Sequence, residues 1–188
     1  MGLNLESQGT SQGGLKVIFC DIDGVLVTAN HLADLQEKNL PLRDFYGMVF
    51  DPKCVALLNL VVGATGAKIV ISSAWRVGVT QQRFREMWEQ RGMRGEIIGF
   101  TPIFETMRRG DEIQRWLDET TMRGLTIDSF VVLDDVLEVL DGIDRGHVVI
   151  TSWSEGLTFN SAVDIFQLLR NSNGTPPESN CGLAYARA

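Results

Sequence analysis

The chain has 188 residues, of which 44% are hydrophobic and 22% charged, and these values are typical of one folded domain. Its net charge of −7 argues against a protein that coats nucleic acid non-specifically. Because the sequence has neither an apolar run that could span a membrane nor a secretory leader, we expect no membrane association and a cytoplasmic location.

Short apolar runs alternate with helical patterns from about residue 15 to residue 170, which we predict to be the folded domain. The predicted strands are 15–21, 68–72, 96–100, 129–134 and 147–151. The predicted helices run from Pro52, capped by Asp51, to Gly63 or Gly66; from Thr80 to near Gly92; from Asp111; and over 158–170. Residues 1–14 and 171–188, rich in turn formers, are predicted to be flexible. Nothing in residues 27–50 decides between a lid and a partner surface.

These strands are apolar on both faces and are separated by helices, a pattern typical of a parallel sheet covered on both sides. Right-handed crossovers then predict a three-layer, doubly wound, Rossmann-like α/β domain. Ligands of such folds bind beyond the carboxyl ends of the strands. Functional residues are therefore sought directly after each apolar run.

Acidic pairs follow two of the predicted strands. Asp21 and Asp23 come after the first and are followed by Gly24, which permits a sharp turn; Asp134 and Asp135 come after the fourth. Alone, the first pair could be a turn or part of a calcium loop. Three scattered cysteines and two histidines offer no soft ligand set, so a metal here should be a hard cation held by carboxylates.

Hydroxyls and a cation occur between the two acidic pairs. Ser72 and Ser73 follow the second predicted strand, where hydroxyls could hold phosphate oxygens or could cap a helix. Arg108 and Arg109 lie at a helix start, where the helix dipole disfavours positive charge. That placement indicates a nearby anion, although an exposed loop arginine is an equal alternative. The order acid, hydroxyl, cation, acid is what aspartate-based phosphoryl transfer requires.

With these motifs, the sequence resembles the haloacid dehalogenase (HAD) superfamily. The four motifs of that superfamily correspond to FCDIDGVL, IVISSAWR, the arginine of RRGDEIQRWL, and VVLDD, which together span about residues 16–135. Within the superfamily, the chain is similar to the capless HAD domain of predicted Swiss Army Knife RNA repair proteins. The third motif usually carries lysine, so Arg109, or else Arg108, would replace it here.

The resemblance implies a role for each motif residue. Asp21 would attack phosphorus and form an aspartyl-phosphate, and Asp23 would protonate the leaving oxygen and then activate water. Mg²⁺ would bind the Asp21 carboxylate, the Asp23 carbonyl and Asp134, with Asp135 binding directly or through water. Ser72, or otherwise Ser73, would hold a phosphate oxygen.

Only 47 residues, 25–71, separate Gly24 from Ser72, which leaves no room for a large cap domain. By resemblance, an open site accepts bulky phosphorylated substrates, either small molecules or a nucleic-acid end. Trp75 and Arg76 could stack on a base and contact a phosphate there, or Trp75 could pack in the core. No feature of the sequence identifies a partner protein.

Two other functions fit the same residues. A non-catalytic binding module would keep the fold, and the absence of the third-motif lysine motivates this hypothesis. A phosphorylated receiver also uses an acid cluster, but it carries its acid pair on the first strand and its phosphoacceptor on the third. In this sequence the D-x-D motif comes first and the adjacent pair Asp134-Asp135 comes later, an order that favours the phosphatase.

Overall fold

The five predicted strands form one parallel sheet in the computed structural model, which describes residues 14–105 and 108–170. Its strands are β1 (Leu15–Cys20), β4 (Lys68–Ile71), β5 (Ile97–Phe100), β6 (Ile127–Asp134) and β7 (Val148–Ile150), in the spatial order β5-β4-β1-β6-β7. The strands β2 (Arg43–Asp44) and β3 (Gly47–Met48) form a separate hairpin. The helices are α1 (Ala29–Glu37), α2 (Pro52–Thr65), α3 (Gln81–Gln90), α4 (Arg109–Met122) and α5 (Phe159–Arg170). The predicted doubly wound α/β fold is confirmed.

Strand β1 is the centre of the sheet, and its side chains alternate between two apolar layers. Ile18 and Cys20 face the cluster that includes residues of α2, α3 and α5, whereas Val17 and Phe19 face the cluster that includes Ile113 of α4. Each of these five residues is fully buried. Helices therefore cover both faces of the sheet. A ligand can reach it at the edge where the loops follow the carboxyl ends of the strands.

Capping residues set the bounds of α2 where the sequence predicted them, whereas α4 starts earlier than predicted. The Asp51 side chain accepts a hydrogen bond from the Lys53 amide (2.9 Å) at the start of α2, and Gly66 ends that helix with a φ of 69°. Helix α4 begins at Arg109, two residues before the predicted start at Asp111. Asp111 and Glu112 instead occupy its first turn, where the helix dipole favours acids.

Residues 27–50, which the sequence left undecided, form α1 and a short antiparallel hairpin of β2 (Arg43–Asp44) and β3 (Gly47–Met48). Helix α1 has no buried residue. Together with α2 these elements fill the whole connection from the first motif to β4, so the described chain carries no large cap domain.

The predicted flexible segments, 1–14 and 171–188, lie outside the described residues except for Gly14. Within the described ranges, none of the helices has the length and apolarity that crossing a membrane requires.

Candidate active site

A row of five buried polar residues crosses the carboxyl edge of the sheet, one at each strand end: Thr101, Ser72, Asp21, Asp134 and Thr151. The amide of Ser72 donates to the Cys20 carbonyl (2.9 Å), and the amide of Asp21 donates to the Leu133 carbonyl (3.0 Å). The backbone hydrogen bonds of the sheet therefore continue into this row of polar residues and fix the spacing of its side chains.

Three of the predicted acids meet at this edge. Carboxylate oxygens of Asp21, Asp134 and Asp135 lie within 4.8 Å of one another, and the first two side chains are almost fully buried. Such a set of hard oxygen donors fits Mg²⁺. Cys20 is no competing ligand, because burial and the neighbouring acids raise the pKa of its thiol and keep it protonated.

Burial, reinforced by the charge of Asp21, raises the pKa of Asp134 to about 6, although Arg109 opposes the shift. The ionised form of this carboxylate is therefore costly at the sheet edge. A bound cation would stabilise that form, so the electrostatics of the cluster, like its donor atoms, fit a divalent metal.

Arg109 is the first residue of α4, and its guanidinium bridges two of these acids. It donates to Asp21 Oδ2 (2.6 Å) and also to Asp134. Burial by itself would lower the pKa of Arg109, but the two carboxylates raise it overall. Arg108 instead pairs with Asp111 and Asp141 at the surface. Of the two candidate arginines, only Arg109 faces the acid cluster.

Gly24 allows Asp135 to lie over the turn that follows Asp21. Its φ is 69°, and an added Cβ would lie 2.2 Å from Asp135 Oδ2. Thr151 donates its hydroxyl to the Gly24 carbonyl (2.6 Å) and so holds this turn from β7. Both the backbone conformation and the packing therefore require glycine.

Asp23 lies outside the cluster of three acids and contacts Trp75. The indole Nε1–H donates to Asp23 Oδ2 at 2.9 Å, and both side chains are partly buried. Burial raises the pKa of Asp23, and the Trp75 hydrogen bond opposes that shift. Trp75 thus contacts a predicted catalytic carboxylate, a contact that neither of its two sequence-based interpretations anticipated.

The two serines after β4 have different environments. Ser73 accepts a hydrogen bond from the Trp75 amide (3.4 Å) and caps a 3₁₀ helix, Ala74–Arg76. The Ser72 hydroxyl is buried without a hydrogen-bond partner among the described residues. An unsatisfied buried hydroxyl costs about 1–3 kcal/mol. Ser72 is therefore the serine suited to hold a substrate oxygen.

Arg76 is placed differently from the expectation that it contacts a substrate. Its guanidinium is buried and pairs with Glu112 at 2.5 Å. It also donates to three backbone carbonyls, those of Ser73, Thr101 and Pro102. Because Glu112 lies one helical turn after Arg109, this pair ties the 3₁₀ helix after β4 to the start of α4.

Sequence reasoning missed Thr101, Thr151 and Glu112. The two threonines each follow an apolar strand run, the same signal that identified the acids and serines. Glu112 is three residues after Arg109, a spacing that places both on one helix face. Its partner is 36 positions away in sequence, so no local pattern shows the pair.

A family model described as "HAD domain in Swiss Army Knife RNA repair proteins" matches residues 17–162 of this chain. The matched range covers more than half of the sequence and includes all four motifs. A search of the curated proteins found no match.

Replacing Gly24 with alanine should weaken Mg²⁺ binding about tenfold or more, because the new Cβ displaces Asp135 and strains the turn. Isothermal titration calorimetry measures the affinity. Gly63→Ala is the matched control, since that glycine lies in α2 with no atom near an added Cβ. Equal affinities in the two variants would contradict the role assigned to Gly24.

Replacing Glu112 with glutamine should lower the free energy of unfolding by about 3–5 kcal/mol, because Arg76 would remain buried without its counter-charge. Glu96→Gln breaks an exposed ion pair with Lys68 and should cost far less. Urea denaturation of both variants tests this difference. Similar losses in the two would show that the buried pair is not structurally important.

Proposed function

We propose that this chain, which belongs to the family of HAD domains in Swiss Army Knife RNA repair proteins, is a Mg²⁺-dependent phosphatase. It would hydrolyse a phosphomonoester through an aspartyl-phosphate on Asp21. The observation that carries the proposal is the convergence of Asp21, Asp134 and Asp135 within 4.8 Å, with Arg109 donating to the first two. A nucleophilic carboxylate thus lies beside a fixed cation that can hold a phosphate.

The residues of the site suit the first chemical step. Arg109 and the Ser72 hydroxyl would hold the phosphoryl oxygens, while the Ile22 amide, which donates to Asp21 Oδ1 (2.7 Å), keeps the nucleophile oriented. Asp21 would attack phosphorus as the ester P–O bond breaks, and Asp23 would give its proton to the leaving oxygen. Mg²⁺, held by Asp21, Asp134, Asp135 and the Asp23 carbonyl, would supply positive charge that lets the two anions approach.

The second step returns the site to its starting state. Asp23, now ionised, would take a proton from water while the water oxygen attacks the phosphorus of the aspartyl-phosphate. The acyl phosphate P–O bond breaks, inorganic phosphate leaves, and Asp21 is again a carboxylate. The indole N–H of Trp75 stabilises the ionised form of Asp23 and fixes the direction of its carboxylate.

The substrate that we favour is a phosphate at the end of a nucleic acid or on a nucleotide. The family description names RNA repair, and the small insertion between the first motif and β4 supports access for a large substrate. A net charge of −7 gives no general attraction for a polyanion, so recognition would depend on contacts near the phosphate. Small phosphorylated metabolites are the competing substrate class.

A non-catalytic binding module is the competing function, since Arg109 stands where the third motif of the HAD superfamily usually carries lysine. The guanidinium keeps the positive charge and can form two hydrogen bonds, as it does with Asp21 and Asp134. All four acids of the predicted site are also present, and this completeness favours turnover.

Asp21→Asn should abolish release of inorganic phosphate from an aryl phosphate, because an amide oxygen is a poor nucleophile. EDTA should abolish the wild-type activity, and Mg²⁺ should restore it. Asp118→Asn, an exposed aspartate of α4, is the matched control and should remain active. Wild-type turnover that equals the Asp21→Asn background and ignores EDTA would leave the binding module as the better account.

Trp75→Phe should lower kcat by about tenfold or more, because a hydrogen bond to a charged group contributes about 1.5–3 kcal/mol. Loss of the donor also raises the pKa of Asp23. The limb of the kcat–pH profile that reports the ionisation of Asp23 should therefore move to higher pH. The control is Trp88→Phe, which removes an indole hydrogen bond to the Arg94 carbonyl away from the site. An unchanged pH profile in Trp75→Phe would separate Trp75 from the chemistry.

A further inference from the structure

A groove with a volume of about 420 Å³ lies beside the proposed active site. It runs between the β2–β3 hairpin and the start of α3. Its walls include four aromatic side chains and two other large ones: Phe45, Tyr46, Trp75, Phe84, Arg83 and Met87. None of the described residues that line it is acidic, although the chain carries a net charge of −7. The groove thus combines aromatic surface with one positive charge.

Trp75 connects this groove to the catalytic residues. Its indole N–H donates to Asp23 (2.9 Å), while its ring forms part of the groove wall. A group bound against the Trp75 ring would therefore contact the residue that holds the carboxylate proposed to protonate the leaving oxygen. This proximity suits the part of a substrate that carries the phosphate.

Phe45 is the exposed aromatic residue of the groove. It lies in the turn of the hairpin with 79% of its surface exposed, and the Arg83 guanidinium carbon is 5.0 Å from its ring centroid. The guanidinium covers part of one face of the ring, and the exposure of Phe45 leaves the rest of its surface available to a ligand. An exposed phenylalanine is not unusual in itself, but this one adjoins a cavity and a cation.

The hairpin that carries Phe45 is anchored on both sides of the turn. Asp44 pairs with Arg91 of the loop after α3 at 2.7 Å. Gly47 lies so close to Trp75 that an added Cβ would be 3.1 Å from its ring. The aromatic wall is therefore positioned before any ligand binds, which lowers the entropic cost of binding.

From these observations we infer that the groove binds a planar aromatic ring carried by the phosphorylated substrate, either a nucleobase or another aryl group. The ring would stack on Phe45, and Arg83 would add a cation contact to the ring or to an attached anionic group. This inference rests on the proposed function, because it places the leaving group of the phosphatase reaction in the groove.

The test compares phosphate esters with and without a ring. In wild type, a nucleoside monophosphate should have a kcat/KM about tenfold or more above that of the ribose phosphate lacking the base. Phe45→Ala should remove most of this preference, and Phe45→Tyr should retain it. The control variant is Phe159→Ala, a similarly exposed aromatic at the start of α5 outside the groove, and it should keep the wild-type preference.

Phenyl phosphate distinguishes the two sources of the ring. A preference that it shares with the nucleotide supports recognition of any aryl group, and a preference for the nucleotide alone supports a nucleobase. Equal kcat/KM for all three esters, unaffected by Phe45→Ala, would overturn the inference while leaving the phosphatase proposal intact.

If no ester is hydrolysed, the proposed function fails, but a binding measurement still tests the groove. In the Asp21→Asn background, calorimetry should show tighter binding of the nucleoside monophosphate than of the ribose phosphate. Adding Phe45→Ala should bring the two dissociation constants together. Equal dissociation constants for the two ligands in the Asp21→Asn protein itself would overturn the groove assignment, whatever the turnover assay shows.

Discussion

The bridge that Arg109 forms between Asp21 and Asp134 is the interaction on which the rest of the site depends. Without a cation, ionised carboxylates this close at a buried sheet edge would repel one another and lose their hydration. Arg109 supplies that charge from the first residue of α4, so the position of this helix matters to the acid cluster. Gly110 permits that position, because an added Cβ would lie 2.1 Å from the Asp141 carbonyl oxygen.

The two halves of the site are joined by one buried ion pair. Glu112 holds Arg76, and Arg76 belongs to the 3₁₀ helix that also carries Trp75. Arg109 donates to Asp21, the proposed nucleophile, from α4, and Trp75 donates to Asp23 from the loop after β4. The Arg76–Glu112 pair therefore helps to set the relative position of the proposed phosphate-binding and proton-transfer groups.

Most of the fold could be predicted because all five strands of the sheet read as apolar runs, as is typical of a parallel sheet between helices. Helix α1 and the β2–β3 hairpin could not, since α1 buries no residue and each strand of the hairpin has only two. The motifs also indicated which side chains gather at the sheet edge. The burial of Arg76 was not predicted because its partner Glu112 is distant in sequence, and the Trp75 contact with Asp23 is likewise long-range.

The most direct test of this account is a crystal structure with Mn²⁺ in place of Mg²⁺, since its anomalous scattering identifies the ion. The account predicts one ion that is coordinated directly by carboxylate oxygens of both Asp21 and Asp134. An ion bound elsewhere, or Asp21 and Asp134 too far apart to share it, would contradict the claim that these acids form one metal-dependent centre.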